Sequence, residues 1–149
     1  MGKVFGYPEF DETGEKILTT YDNDYKEMMM DIRVYRMKAG ETRKFLRTGE
    51  ETAVLLLEGK ITYQWESQKE TVSRKDVFTE GPWCVHVCTG KEVSVTAETD
   101  GEILVQCTKN DGEFPGKLYK PEDAPWGYSC VGKFGNVAKR RVNTILDHD

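Results

Sequence analysis

"TAVLLLEGKITYQWE", residues 52–66, carries two hydrophobic rhythms back to back. Ala53 to Leu57 is a continuous apolar run, Glu58-Gly59 interrupts it, and Ile61, Tyr63 and Trp65 then alternate with Thr62, Gln64 and Glu66. Successive side chains of an extended chain point to opposite faces. The run therefore predicts a strand buried on both faces, and the alternation predicts a second strand buried on one face only.

The same rhythm extends in both directions. Upstream, "KILTTYD" (16–22) and "MDIRVYRMKAGE" (30–41) read as strands, the second with Ile32, Val34, Tyr35 and Met37 set imperfectly against Arg33, Arg36 and Lys38 before a turn at Gly40. Downstream, "ESQK" (66–69) is a polar hairpin tip and "ETVSRKDVF" (70–78) the return strand. Three further strands follow, with turns at Thr89-Gly90 and Asp100-Gly101. Short β-branched and aromatic runs broken this often by turn residues predict an all-β sandwich or barrel. Helix is scarce: "DNDYKEMMMD" (22–31) and "NVAKRRVNTILDH" (136–148) are the best candidates, and Met28-Met29-Met30 reads as adaptable core filler.

From Thr108 to Lys133 prolines and glycines are too frequent for regular structure. Two parts are expected: a barrel over 1–110 and an irregular arm over 111–149. Phe114, Leu118, Tyr119, Trp126 and Tyr128 are available to pin the arm to the barrel.

At 149 residues the chain is the size of one domain. Its net charge of −5 comes from interleaved acids and bases, without the basic stripe that nucleic acid requires, and "KRR" (139–141) reads as a solvated stretch. No apolar run approaches membrane-spanning length and the N-terminus lacks a signal peptide's apolar centre, so neither a membrane nor a nucleic-acid partner is expected. Four cysteines without a secretion signal read as reduced thiols, and a cytoplasmic location is expected.

"WCVHVCTG" (83–90) raises the question of a metal. Cys84, His86 and Cys88 share one strand face, yet a single strand can bring only two such side chains to one ion, and a closed zinc site needs four. Cys107 and Cys130 are isolated and no C-x-x-C occurs, so no metal site is expected in the chain.

The order of these features carries a resemblance. "LLLEGKITY", a hairpin, "DVFTEGP", then a strand closing on "CTG" before "KEVSV" is the order found in a cupin, a double-stranded β-helix or jelly-roll barrel. With "MDIRVYRMKAGE", the Gly40 turn, Lys120 to Asp123 and the tail "GNVAKRRVNTIL", nearly the whole chain resembles the first half of the KduI/IolB isomerase family. The branch it is most similar to isomerises 5-deoxy-glucuronate in myo-inositol catabolism. That resemblance implies two-cupin proteins, an aldose–ketose interconversion of a deoxy uronic acid, and a metal bound in the second cupin, which this chain would lack. Cupins hold their metal with His-x-His and Glu in a first motif and a further His in a second. Anchored on Gly59 and on "CTG", those positions fall at Leu46, Thr48, Thr52 and Val93. A slip of one residue gives Phe45, Arg47, Glu51 and Glu92, still without an imidazole.

The catalytic residues are therefore unassigned. Candidate ligand-binding residues are His86, as a donor to a sugar hydroxyl, and Tyr63 and Trp65, as rings on which a sugar stacks; each has a plainer reading as core. His148, near the chain end, is expected to have no role. Among Glu50, Glu51, Glu58, Asp76 and Glu80 any acid–base pair competes with solvated turn positions. Three functions follow: the metal-free half of the isomerase, not catalytic alone and completed by a second cupin chain or by a second copy of itself; a stand-alone cupin that binds a small sugar acid; or a self-associating structural cupin, expected as a homodimer.

Overall fold

The computed structural model describes residues 6–146, so His148 lies outside the described residues. Its architecture is the cupin-type jelly roll. The strands are β1 (Glu15–Thr19), β2 (Met30–Met37), β3 (Thr42–Leu46), β4 (Glu50–Trp65), β5 (Gln68–Arg74), β6 (Trp83–Val87), β7 (Glu92–Ala97), β8 (Gly101–Lys109), β9 (Lys117–Tyr119), β10 (Trp126–Ser129) and β11 (Arg140–Asn143).

One strand makes the barrel. β4 is continuous over 16 residues, not the two strands that the Glu58-Gly59 interruption suggests. Its first part pairs with β8 and β6 in a large sheet ordered β1-β2-β8-β4-β6-β9, and its second part pairs with β5 and β7, with β3 beyond β7. The register shifts between Leu56 and Glu58, and this bulge bends the strand from one sheet into the other. Gly59 follows at φ 105°, where a Cβ would lie 2.9 Å from both Asp100 O and Gly101 Cα. Only glycine fits that corner.

Strand alternation decides what fills the barrel. Val54, Ile61, Tyr63, Val85, Val93 and Ile103 are 0–1% exposed and belong to one apolar cluster. At ~25 cal/mol per Å² of apolar area, this interior supplies most of the drive for folding.

Among the described residues neither helix candidate forms. Within 22–31 there is one 3-10 turn, Lys26–Met28, and Met29 at φ 56° closes it in the left-handed region. That reversal turns Met28 and Met29 outward, 53% and 72% exposed, so they are not core filler. At the other end β11 pairs antiparallel with β10. Residues 117–119 join the large sheet as β9 beside β6, and Phe114 and Leu118 lie half-buried on the barrel. Trp126 and Tyr128 are 56% and 55% exposed on the β10–β11 hairpin, a two-stranded sheet of its own.

Candidate functional site at the barrel mouth

The inward positions at one end of the barrel break the apolar rule. β2 turns Asp31, Arg33 and Tyr35 toward the interior, and in and just beyond β3 the alternating burial of residues 42–47 does the same for Arg43, Phe45 and Arg47. Arg33 satisfies Asp31 with two hydrogen bonds, Nε to Oδ1 at 2.7 Å and Nη2 to Oδ2 at 2.9 Å, and donates a third from Nη1 to Glu15 Oε1 at 2.9 Å. The Tyr35 hydroxyl donates to the same Glu15 oxygen at 2.8 Å. Hydrogen bonds to Asp31 and Glu15 push the Arg33 guanidinium above its ordinary value despite burial. Burial alone would raise Glu15, but the bonds from Arg33 and Tyr35 outweigh it and hold its carboxyl below the usual range. Burial, then the Glu15 charge, raises Tyr35 to about 12. Glu15 and Arg33 are thus ionised and the phenol protonated at neutral pH.

Arg47 is differently placed. Its Nη2 stands 3.7 Å from Asp31 Oδ2 and its Nε 3.9 Å from Glu50 Oε2, within ion-pair range but too far for hydrogen bonds. Asp31 is already committed to Arg33, so Arg47 keeps its donors free among the described residues while attraction holds its head in place. Beside it lies a groove of about 390 Å³, lined by Glu15, Tyr35, Arg43, Phe45 and Arg47 among others. Phe45, Tyr35 and Leu46 form its apolar part, the two rings 5.3 Å apart at their centroids, Arg43 lies 4.8 Å over the Tyr35 ring, and Lys44, paired with Glu92 at 3.2 Å, lines it as well. Arg43 is itself engaged with Glu41 at 2.7 Å and with Thr13 O. A groove with an aromatic wall and a guanidinium whose N–H donors make no hydrogen bond among the described residues can hold a small hydroxylated carboxylate.

Behind the mouth the interior does not fit a divalent ion. Leu46 is 57% exposed and points out of the barrel, Val93 is fully buried hydrocarbon, and the Thr52 hydroxyl is 3.6 Å from the Cys107 thiol. The slipped reading is the one whose first two positions face inward, and they present Phe45 and Arg47. Among the described residues no three His, Cys, Asp or Glu side chains converge as an ion would require. Burial raises the Cys84 thiol to about 12 and raises Cys107 as well.

The three residues singled out in the sequence are not brought together. Val85 and Val87 belong to the core, so Cys84, His86 and Cys88 look outward and back the barrel. His86 packs against Phe114, ring centroids 4.7 Å apart, and its Nε2 is buried 3.6 Å from Glu51 Oε2, too far for a hydrogen bond. That carboxylate instead accepts from Asn110 Nδ2 at 2.7 Å. Tyr63 is 0% exposed and its hydroxyl donates to backbone carbonyls; Trp65 is 5% exposed, with the backbone of Gly116 against its indole. Asp76 and Glu80 bond to backbone N–H groups of their own turn.

The comparisons bear on the family and the fold. A sequence model of the KduI/IolB family matches residues 7–149. The chain belongs to the KduI/IolB family. Two curated KduI/IolB relatives are the 5-deoxy-glucuronate isomerases of Geobacillus kaustophilus (strain HTA426) and Geobacillus thermodenitrificans (strain NG80-2). They are 32% and 30% identical over 118 residues, which is 77% of this chain but 41% and 42% of theirs. The chain thus spans about two-fifths of the length of these relatives. Among solved structures, an IolB-like protein from Salmonella typhimurium LT2 superposes at a TM-score of 0.71 with 24% identity, over 78% of this chain and 44% of that one. A predicted oxalate decarboxylase from Thermotoga maritima superposes at 0.52 with 13% identity, over 64% of this chain and 79% of that one. At these identities both show the fold alone, the barrel that family membership leads one to expect.

Proposed function

We propose that this chain is a sugar-acid-binding barrel of a 5-deoxy-glucuronate isomerase system, acting in the cytoplasm in myo-inositol breakdown, which binds the deoxy uronic acid without turning it over alone. Moving a proton between adjacent carbons of a sugar takes a base and a positive group at the developing enediolate oxygen. At the mouth the carboxylates of Asp31 and Glu15 are tied up by Arg33, Glu50 Oε2 is buried against the Arg47 guanidinium at 3.9 Å, and His86 faces out of the barrel. What remains is recognition: Arg47 for the carboxylate, Phe45 and Tyr35 for the sugar's C–H face. A second cupin supplies the catalytic cation in this reading.

The observation that carries it is the Arg47 guanidinium beside the aromatic groove, held by two ion pairs but making no side-chain hydrogen bond among the described residues. The test is a thermal-shift titration of the purified chain with D-glucuronate and, as control, D-glucose, run with an isomerisation assay on 5-deoxy-glucuronate and metal analysis. Saturable stabilisation by glucuronate only, with no turnover and no stoichiometric metal, is expected. Turnover by the chain alone, a bound metal, or equal response to both sugars refutes the reading.

A further inference from the structure

Between β8 and β9, residues 110–116 cross the barrel as a strap that belongs to no strand. At its root the Asn110 N–H donates to Gly49 O at 3.1 Å, and Asn110 Nδ2 donates to Glu51 Oε2 at 2.7 Å. In its middle Phe114 lies on the His86 ring, centroids 4.7 Å apart. At its far end a Cβ on Gly116 would lie 2.8 Å from Trp65 Cδ1 and 3.1 Å from Val87 Cγ1. The strap thus reaches from the turn before β4 to the residue that ends β4.

Its hydrogen-bonding anchor and its ring anchor converge on one pair of side chains. Glu51 Oε2, which holds Asn110, also stands 3.6 Å from His86 Nε2, and that nitrogen is buried without a hydrogen-bond partner among the described residues. A neutral imidazole packs under Phe114 at the cost of one missing bond. An imidazolium there carries a charge that a phenyl ring cannot solvate. The other groups around it offer no relief. Lys117, in register with His86 on β9, is a like charge whose Nζ lies 4.4 Å over the Tyr119 ring. Cys84 and Cys88, two places along β6 on the same face, are buried thiols, and Asp111 and Glu113 on the strap are exposed. Glu51 is left as the acid that faces the ring, and its Oε2 is already bonded to Asn110.

We propose that His86 and Glu51 form an acid-released latch for the strap 110–116, which lifts from the barrel when His86 takes up a proton while both sheets stay folded. The imidazolium claims the Glu51 carboxylate, Asn110 loses its acceptor, and water replaces Phe114 over the ring. Burial, opposed by Glu51, holds the imidazole below its ordinary value, so the closed strap and the neutral ring go together. Lifting the strap also opens the hollow of about 350 Å³ that Phe114 and Pro115 form with Cys88, Thr89 and Lys91. The latch needs no ligand at the barrel mouth, so it stands or falls separately from the sugar-acid reading.

The test is amide hydrogen exchange of the full chain at pH 7.5 and pH 5.5, each corrected for the intrinsic exchange rate. In the wild type, protection over residues 110–119 is expected to fall at least about tenfold at the lower pH while β4 and β8 keep theirs. His86→Gln, which cannot charge, is expected to hold the strap equally at both pH values. Phe114→Ala keeps the histidine and removes its cover, and is expected to leave the strap open at both. Unchanged wild-type protection overturns the proposal. So does an equal fall in His86→Gln, a strap in Phe114→Ala as protected as wild type at pH 7.5, or a loss that β4 and β8 share with the strap.

Discussion

The hydroxyl of Tyr63 donates to the carbonyl of Val54 at 2.9 Å, so β4 is hydrogen-bonded to itself across the barrel interior. The same oxygen lies 3.2 Å from Trp83 O on β6. Because the bulge at Leu56–Glu58 sends the two parts of β4 into different sheets, this phenol ties the sheets together from inside. Burial pushes it well above its ordinary value, and it remains a donor at any pH the fold survives.

Tyr63→Phe keeps the ring and removes the donor. The expected loss is about 1–2 kcal/mol of unfolding free energy, read as a lower urea midpoint at unchanged slope. A variant as stable as wild type would mean that the bond contributes nothing to joining the sheets.

At the corner itself, Gly59→Ala sets a Cβ against Asp100 O and Gly101 Cα at a φ that L-residues avoid. Strain and steric displacement together are expected to cost about 2–4 kcal/mol, more than the loss of the Tyr63 hydroxyl. Equilibrium urea denaturation of both variants checks the order of the two effects.

Much of this barrel is legible in the sequence, and the exceptions share a cause. A period-2 pattern that slips by one residue looks the same whether the chain turns back or bulges, so Glu58-Gly59 reads as a strand end although β4 runs through it. β3 escapes notice because its inward residues include Arg43, with Arg47 just beyond, and a charged residue on a buried face defeats the search for hydrophobic alternation. The signal that could have found the mouth was present: the slipped cupin positions Phe45 and Arg47 are the inward ones. "WCVHVC" shows that Cys84, His86 and Cys88 share a face but not which face is inside, since Trp83, Val85 and Val87 are as apolar as a core requires. The C-terminal strand is hidden because "AKRRVN" suits an exposed helix or an exposed hairpin equally well.

Arg33 and Arg47 are expected to separate stability from binding. Arg33 holds Asp31, whose side chain is 7% exposed, and Glu15; Arg33→Met leaves a buried carboxylate uncompensated and should cost about 2–3 kcal/mol, a figure reduced for the pair's partial exposure. Arg47→Met breaks no hydrogen bond among the described residues and should leave the melting temperature within a few degrees of wild type while abolishing its rise with D-glucuronate. Thermal-shift titrations of the two variants decide it. Full glucuronate response in Arg47→Met would remove this residue from the site.

His86 should make the fold sensitive to mild acid. Burial lowers its imidazole below the ordinary value of 6.5, and the neighbouring Glu51 carboxylate opposes the shift without reversing it. The ring is enclosed by Phe114 from the strap after β8 and by Ala53 and Lys117 on the flanking strands β4 and β9, so Glu51 is the acid that faces it and Lys117 the nearest base along the sheet. A depressed histidine is neutral in the folded chain over a range where the unfolded chain takes up a proton. Its contribution is present above about pH 6.5 and is lost as pH falls through the folded value. The melting temperature should therefore drop between pH 7.5 and pH 5.5, before the Glu15 carboxyl, held low, begins to titrate. His86→Gln should flatten that drop. An equal drop in wild type and variant would assign the acid sensitivity to another group.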